Sequence, residues 1–323
     1  MRTRGVPHFD HPGAVELELA AAHLAEMRVG KRLKVPRYDF AAGERTGTEW
    51  FKVEPIVVVD GLFGLQPQIR PHVDFSVFIE TGVHSALMRR LFRDAGPLGR
   101  TKQSSRDVLR QYFETVWPAQ SEFIAPTAAF ANVIVESRYD AASEATRAGG
   151  IQCQSKTIGY VSDDDVFQRL RGRRLGAVLK QNDVFLAPKN EATDGELLRL
   201  REENGALFLT YKGPLISSIP GIGTRAVTQS IELEPGTEAW FKDDYRVIAE
   251  FRKLRTLFHA DDLLVARDSI IGLGNFIEVS ALKEVPADTL TSALRKLGLL
   301  GPYLSESYFD LWQKRSDLPI NVN

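Results

Sequence analysis

Between residues 152 and 278 the chain places charged or amide side chains at every second position of short apolar runs, and this alternation constrains the fold most. Successive residues of a strand point to opposite faces, so each such run has one polar and one apolar face. In Ile151-Gln-Cys-Gln-Ser-Lys156, Gln152, Gln154 and Lys156 share a face. Arg199 and Arg201 do so in Leu198-Arg-Leu-Arg201, and Lys212 ends the run from Leu207 to Tyr211. Glu232 and Glu234 alternate with Ile231 and Leu233, and Lys253 and Arg255 flank Leu254. Asp268 follows Leu263 to Arg267, and Glu278 lies between Ile277 and Val279. Two readings compete. One is the solvated face of an ordinary antiparallel sheet. The other is a closed barrel with a polar interior and helices on its apolar outside, and about eight strands would leave room for one small ligand.

The 323 residues exceed one small core, and the sequence splits into two halves. Arg138 to Gly150 is small, polar and ends in two glycines, a linker signature. The predicted boundaries are 1–137, a linker over 138–149, a second domain over 150–312, and a tail over 313–323. In the first half, helices are predicted over Val15–Arg28, His84–Asp94 and Ser105–Val116. Pro55 to Gly61, Val73–Ile79 and Ala131–Val135 read as buried parallel strands, so this half is α/β. In the second half, Ser162 before three aspartates reads as a helix cap, and Pro286–Leu297 as another helix.

A net charge of -1 gives no field to recruit nucleic acid or an anionic membrane, so any anion site must be local. The single cysteine, Cys153, excludes an internal disulfide and reads as wall packing. The apolar run Ile56–Leu65 is broken by Asp60 and is too short to span a bilayer, and the first residues do not form a signal peptide. The expectation is a soluble, cytoplasmic protein with a small-molecule partner, and a homo-oligomer is compatible with it. His8 and His11 read as structural, Gly221-Ile-Gly223 as a loop, and Trp240, Phe241 and Tyr245 as helix-face packing.

The order of the polar runs resembles the CYTH superfamily of triphosphate tunnel metalloenzymes. Gln152-Cys-Gln-Ser-Lys156 stands where that family has Glu-x-Glu-x-Lys, and Leu198-Arg-Leu-Arg201 resembles its Leu-Arg-x-Arg strand. Leu209-Thr-Tyr-Lys-Gly-Pro214, Lys253-Leu-Arg-Thr-Leu-Phe258, Gly272-Leu-Gly-Asn-Phe-Ile-Glu278 and Ser307-Tyr-Phe-Asp-Leu311 follow in the family's order. The likeness covers about 160 residues; each motif alone is weak, and the ordered set is strong. It implies an eight-stranded antiparallel barrel with flanking helices that grips a phosphoanhydride. Lys156, Arg199, Arg201, Lys212, Lys253 and Arg255 would bind phosphate, since guanidinium forks match phosphate oxygens and lysines add point charge. Glu232, Glu234 and Glu278 would position Mg²⁺ or Mn²⁺ and water, with Lys156, Glu232 and Glu234 as the catalytic residues, and Asp268 would orient a cation.

The two glutamates of the first-strand signature are Gln152 and Gln154 here. An amide oxygen still ligates a hard cation but brings no charge. The change predicts weaker metal binding than the full signature gives, or one metal in place of two.

The first half resembles uridine kinases. The likeness runs through His8-Phe-Asp-His-Pro12, Pro36-Arg-Tyr-Asp-Phe40, Val57-Val-Val-Asp-Gly61, Arg89-Arg-Leu-Phe-Arg-Asp94 with Gly99-Arg100, and Phe130-Ala-Asn-Val-Ile-Val135. It implies that Asp10 contacts a ribose and that Arg89, Arg93 and Arg100 face nucleotide phosphates. The family's histidine after Tyr-Asp-Phe is replaced here by Ala41-Ala-Gly-Glu-Arg-Thr46. No Gly-x-x-x-x-Gly-Lys-Ser/Thr occurs in the sequence, so the loop that cradles ATP phosphates is absent. The first parallel strand is expected to be missing with it, and two explanations compete: a start internal to a longer protein, which is favoured, or a kinase half that is a remnant.

The fold class expected is therefore α+β: a partial P-loop-kinase-like α/β domain followed by the barrel. The function expected is metal-dependent hydrolysis of pyrophosphate, triphosphate or a nucleoside triphosphate. The alternatives are a non-catalytic polyphosphate- or nucleotide-binding module, and a nucleoside kinase whose phosphate-binding loop lies outside this sequence. Kinase activity is not expected of the chain as given. Adenylate cyclase chemistry also occurs in the CYTH superfamily.

Overall fold

The computed structural model describes residues 2–3, 6–7, 9–30, 32–39, 44–95, 103–137, 152–190, 192–193, 195–225, 228–281 and 285–315. Two compact units emerge: Met1–Glu80 with Arg110–Glu136, and Thr81–Leu109 with Ser137–Asn323. Among the described residues no helix is long and apolar enough to cross a membrane.

In the first unit the helix Leu17–Arg28 lays Leu17, Ala20, Ala21 and Leu24 against Phe63, Ile69 and Ile124. Leu33–Asp39 and Glu44–Phe51 form an antiparallel hairpin. Val77–Glu80 pairs in parallel with Val133–Glu136, which bears out the α/β reading. The ladder starts at Val77, later than expected. Asn132 Oδ1 accepts from both the amide and the hydroxyl of Ser76 (2.8 and 2.9 Å), pinning the chain just before it.

The strand expected over Pro55–Gly61 does not form. Ile56 and Val58 are 82% and 84% exposed, and no described segment pairs with them. A parallel strand persists only when its faces are covered and its backbone is paired.

The second unit is built on one antiparallel sheet of ten strands: β1 (Gln152–Ile158), β2 (Arg173–Pro188), β3 (Leu197–Glu203), β4 (Ala206–Lys212), β5 (Leu215–Ile219), β6 (Ile222–Arg225), β7 (Thr228–Leu233), β8 (Tyr245–Ala260), β9 (Leu263–Ile270) and β10 (Gly274–Ala281). Their order across the sheet is β5-β6-β1-β10-β9-β8-β2-β3-β4-β7. Strands β6 and β7 therefore lie near opposite edges, yet Arg225 and Thr228 are three residues apart. Three residues span at most about 11 Å. Eight strand spacings in a flat sheet would separate them by about 38 Å. The sheet must curl on itself, and it does so as an open, ten-stranded wall: no hydrogen-bonded ladder joins β5 to β7 among the described residues. The hairpin β5-β6, folded back along β1, accounts for strands beyond the eight expected.

Helices cover the outside. Asp163–Leu170 starts at a capping box in which the Ser162 hydroxyl accepts from the Asp165 amide and Asp165 Oδ2 accepts from the Ser162 amide. Val166 from this helix and Leu290, Ala293 and Leu294 from Ala287–Lys296 pack on Ile222, Phe258, Val265, Ile277 and Val279, with Cys153 beside them. These strand residues alternate with the charged ones, so the apolar face is the outer face, as the barrel reading expects and the solvated-sheet reading does not. Tyr245 opens strand β8 and so lies outside any helix, contrary to expectation, while Trp240 and Phe241 sit in the 3₁₀ turn Thr237–Phe241.

Candidate phosphate-gripping tunnel

Register places the expected residues on a single face. Lys156 pairs with Glu278, Arg255 with Asp268, Asp183 with Arg201, Arg199 with Thr210, Thr210 with Ser230, and Lys212 with Thr228. Directly opposed residues share a face. The concave wall therefore carries Gln154, Lys156, Glu278, Asp268, Lys253, Arg255, Asp183, Arg199, Arg201, Lys212 and Glu232. Lys156, Lys253, Arg199, Asp183, Asp268 and Glu278 are buried.

One step along each strand, the same face is apolar. Phe276, Ile270, Phe251, Phe185 and Leu197 stand two residues from Glu278, Asp268, Lys253, Asp183 and Arg199. They enclose Tyr308, Phe309 and Leu311 of the short helix Tyr308–Gln313. This aromatic floor plugs one end of the curled sheet and excludes water beneath the charges, where ionic interactions strengthen.

Asp183 is the hub. It accepts a two-pronged bond from Arg201 (2.6 and 2.8 Å), with Arg199 at 3.5 Å and Lys253 at 3.6 Å. Burial alone would raise its carboxyl, but Arg199, Lys253 and Arg201 hold it far below the usual carboxylate range. A second hub is Asp268, which accepts Arg255's fork at 2.7 and 2.5 Å and the Tyr308 hydroxyl at 2.7 Å. Against its burial, Arg255 and Lys253 likewise hold it low. Glu278 lies 3.1 Å from Arg255 and 3.8 Å from Lys156, and these cations overcome its burial to lower it too.

Burial, reinforced by Arg255, pushes Lys253 down to about 7, and burial brings Arg199 to about 10. Lys212 acts on Glu278, and Glu278 on Arg199, although β3 stands four places from β10 in the sheet. These charges face one another across a lumen. Lys156 donates to the Glu306 carbonyl at 2.6 Å, and the Lys156 and Lys253 ammoniums lie 5.5 and 5.2 Å from the Tyr308 ring centre.

Glu234 falls outside this cluster. It lies past the end of β7 and is held by Arg106 (3.1 Å) and the Ser105 hydroxyl. Glu232 is exposed, on the edge strand opposite Phe208. Among the described residues no three His, Cys, Asp or Glu side chains form a group that could hold a metal ion, and the side chain of Gln152 lies outside the described residues. Among the described residues, side chains alone therefore offer no cage for a divalent cation, and a metal there would need further oxygen ligands from a bound anion.

Of the kinase-half residues, Asp10 lies in the first unit and Arg89 and Arg93 in the second, while Arg100 is outside the described residues. Arg93 forks onto Asp94 at 2.8 Å, and Arg89 donates to Ser137 at 3.3 Å. Reading the sequence by motif missed Asp183 and gave Tyr308 no role. The signal was present for Asp183, because Gln181, Asp183 and Phe185 alternate like the other strands.

A curled antiparallel sheet with a charged lumen, helices outside and an aromatic floor is the architecture of a tunnel domain. The comparisons make this particular: residues 164–306 match the CYTH domain, and residues 2–142 match the Phosphoribulokinase / Uridine kinase family. The chain is 24% identical over 313 residues to inorganic pyrophosphatase TTM2 of Arabidopsis thaliana, covering 94% of this chain and 44% of that protein. It is 24% identical over 340 residues to uridine-cytidine kinase C of Dictyostelium discoideum, covering 98% and 70%. Its first part is 36% identical over 137 residues to the uridine kinase of Shewanella pealeana, covering 42% of this chain and 64% of that enzyme. The chain thus spans less than half of the plant pyrophosphatase and under two thirds of the bacterial kinase.

Proposed function

We propose that the tunnel binds and hydrolyses a phosphoanhydride, with pyrophosphate or triphosphate ahead of a nucleoside triphosphate. The observation that carries this reading is the convergence of six cations, Lys156, Arg199, Arg201, Lys212, Lys253 and Arg255, on one concave face above a dry floor. Arginine forks and lysines in such a site stabilise the charge that develops on transferring phosphoryl oxygens. Mg²⁺ or Mn²⁺ would enter with the substrate, held by phosphate oxygens together with Glu278, Glu232 and Gln154. Bound there, it would polarise the phosphoryl group. The likeness to a plant pyrophosphatase supports the same substrate class.

A second reading, a polyphosphate- or nucleotide-binding module without turnover, draws on the pairing of the buried carboxylates with cations instead of with one another. One experiment separates the two. Phosphate release from pyrophosphate, triphosphate and ATP is measured with and without Mg²⁺ or Mn²⁺, for the wild-type chain, Lys156→Ala and Glu278→Ala. Metal-dependent turnover abolished in both variants supports the hydrolase. Absent turnover with anion binding lost in Lys156→Ala leaves the binding module.

A further inference from the structure

Asp183 is the charged group at the centre of the tunnel that phosphate gripping by itself does not require. Its side chain is 1% exposed and meets three cations at once: both prongs of Arg201, with Arg199 and Lys253 within 3.6 Å. Its two oxygens take up Arg201 donors that an anion's oxygens would otherwise accept from. The six gripping cations face three buried carboxylates, Asp183, Asp268 and Glu278, so about half of their charge is already balanced within the wall. Two further atoms on the same face are unsatisfied: Arg199 Nε, a donor, and Gln181 Oε1, an acceptor, are buried with no hydrogen-bond partner among the described residues. The layer is thus only about half neutralised by its own carboxylates, as suits an anion completing it.

We propose that Asp183 is a specificity-determining residue: a built-in counter-anion that limits how much phosphate charge the tunnel accepts and favours pyrophosphate over longer chains. This rests on the reading of the tunnel as a phosphoanhydride site. A buried carboxylate competes with phosphate oxygens for Arg199, Arg201 and Lys253. It also repels each added phosphoryl group more strongly than water would allow. Triphosphate differs from pyrophosphate by one more charged group, so the penalty falls mainly on triphosphate.

The test is titration calorimetry of inorganic pyrophosphate and triphosphate against the full chain without divalent cation. It compares wild type with Asp183→Asn, which keeps shape and loses charge, and with Asp183→Glu. The kcat/KM ratio for the two anions is measured in parallel with Mg²⁺. Asp183→Asn is expected to move the affinity ratio toward triphosphate by at least about tenfold. Asp183→Glu is expected to keep the wild-type preference. A ratio unchanged in Asp183→Asn, with both affinities altered alike, overturns the proposal and leaves Asp183 a structural ion pair. Should Asp183→Asn not fold, Lys253→Gln removes a cation from the same cluster and must shift preference further toward pyrophosphate; an unchanged ratio there also overturns it. A wild-type chain that binds both anions but hydrolyses neither refutes the hydrolase reading alone. One that binds neither refutes both.

Discussion

The Tyr308 hydroxyl donates to Asp268 Oδ2 at 2.7 Å, and the same carboxylate receives the Arg255 fork. One aromatic residue thus packs in the tunnel floor and fixes, through Asp268, the direction of the Arg255 guanidinium. Tyr308→Phe keeps the ring between Lys156 and Lys253 and removes only the donor. It is expected to lower stability by about 1 kcal/mol. It should also lower kcat for pyrophosphate by about tenfold, as Arg255 loses its fixed partner. Thermal melts beside steady-state kinetics check this, and full activity would show that Arg255 is oriented without the tyrosine.

Lys253 makes anion binding depend on pH. Burial sets its ammonium to about 7 in the ligand-free tunnel, so it loses charge as pH rises through neutrality. Pyrophosphate affinity is expected to carry one linked proton uptake near pH 7. Lys253→Arg, whose guanidinium stays charged, should remove that step. Calorimetry in buffers of different ionisation enthalpy measures the uptake directly, separating it from titration of the anion, which is common to both proteins.

His84 lies fully buried at the start of the helix Val83–Asp94, stacked on Tyr245, with no hydrogen-bond partner for either ring nitrogen among the described residues. Burial lowers its imidazole to about 4. The folded value lies below the unfolded one, so the unfolded chain binds the extra proton between about pH 4 and 6.5. Stability from this group is complete above that window and falls by about 3 kcal/mol as pH drops through it. Urea unfolding from pH 4.5 to 7.5 should show this loss in wild type. It should be smaller in His84→Gln, which cannot titrate.

Gly223 passes so close to the segment before the last helix that an added Cβ would overlap the Ser305 carbonyl oxygen. Gly223→Ala is expected to destabilise the second unit by about 2 kcal/mol. By displacing residues 303–306, which carry the Glu306 carbonyl bound by Lys156, it should also raise KM for pyrophosphate. A variant as stable as wild type would mean that this segment yields without cost.

The sequence was most legible where periodicity and burial agree. Alternation puts Glu278 on the charged face because helices pack Ile277 and Val279 on the other, and Arg199 likewise lies between the buried Leu198 and Leu200. Ile56 and Val58 misled for the complementary reason: an apolar run specifies a buried strand only if something covers it, and covering depends on distant residues. Asp183 escaped because motif matching looks for cations and metal ligands, whereas its role follows from which strands become neighbours. Glu234 satisfied the alternation, but β7 ends at Leu233, and Arg106 holds it away from the charged cluster.

Strand β1 pairs with β6 on one side and with β10 on the other, and it is β10 that brings Glu278 to Lys156 across more than a hundred residues of intervening chain. Hairpins such as β8-β9 can zip locally and early, whereas this pairing waits for the end of the sheet and must close a large loop. The proposed phosphate site is therefore among the last things such a chain completes as it emerges from a ribosome. Until β10 arrives, the cations lie on an unfinished wall with an open edge. A chain cut just before β10 would retain all six proposed phosphate-binding cations and lack the strand that sets Glu278 beside Lys156.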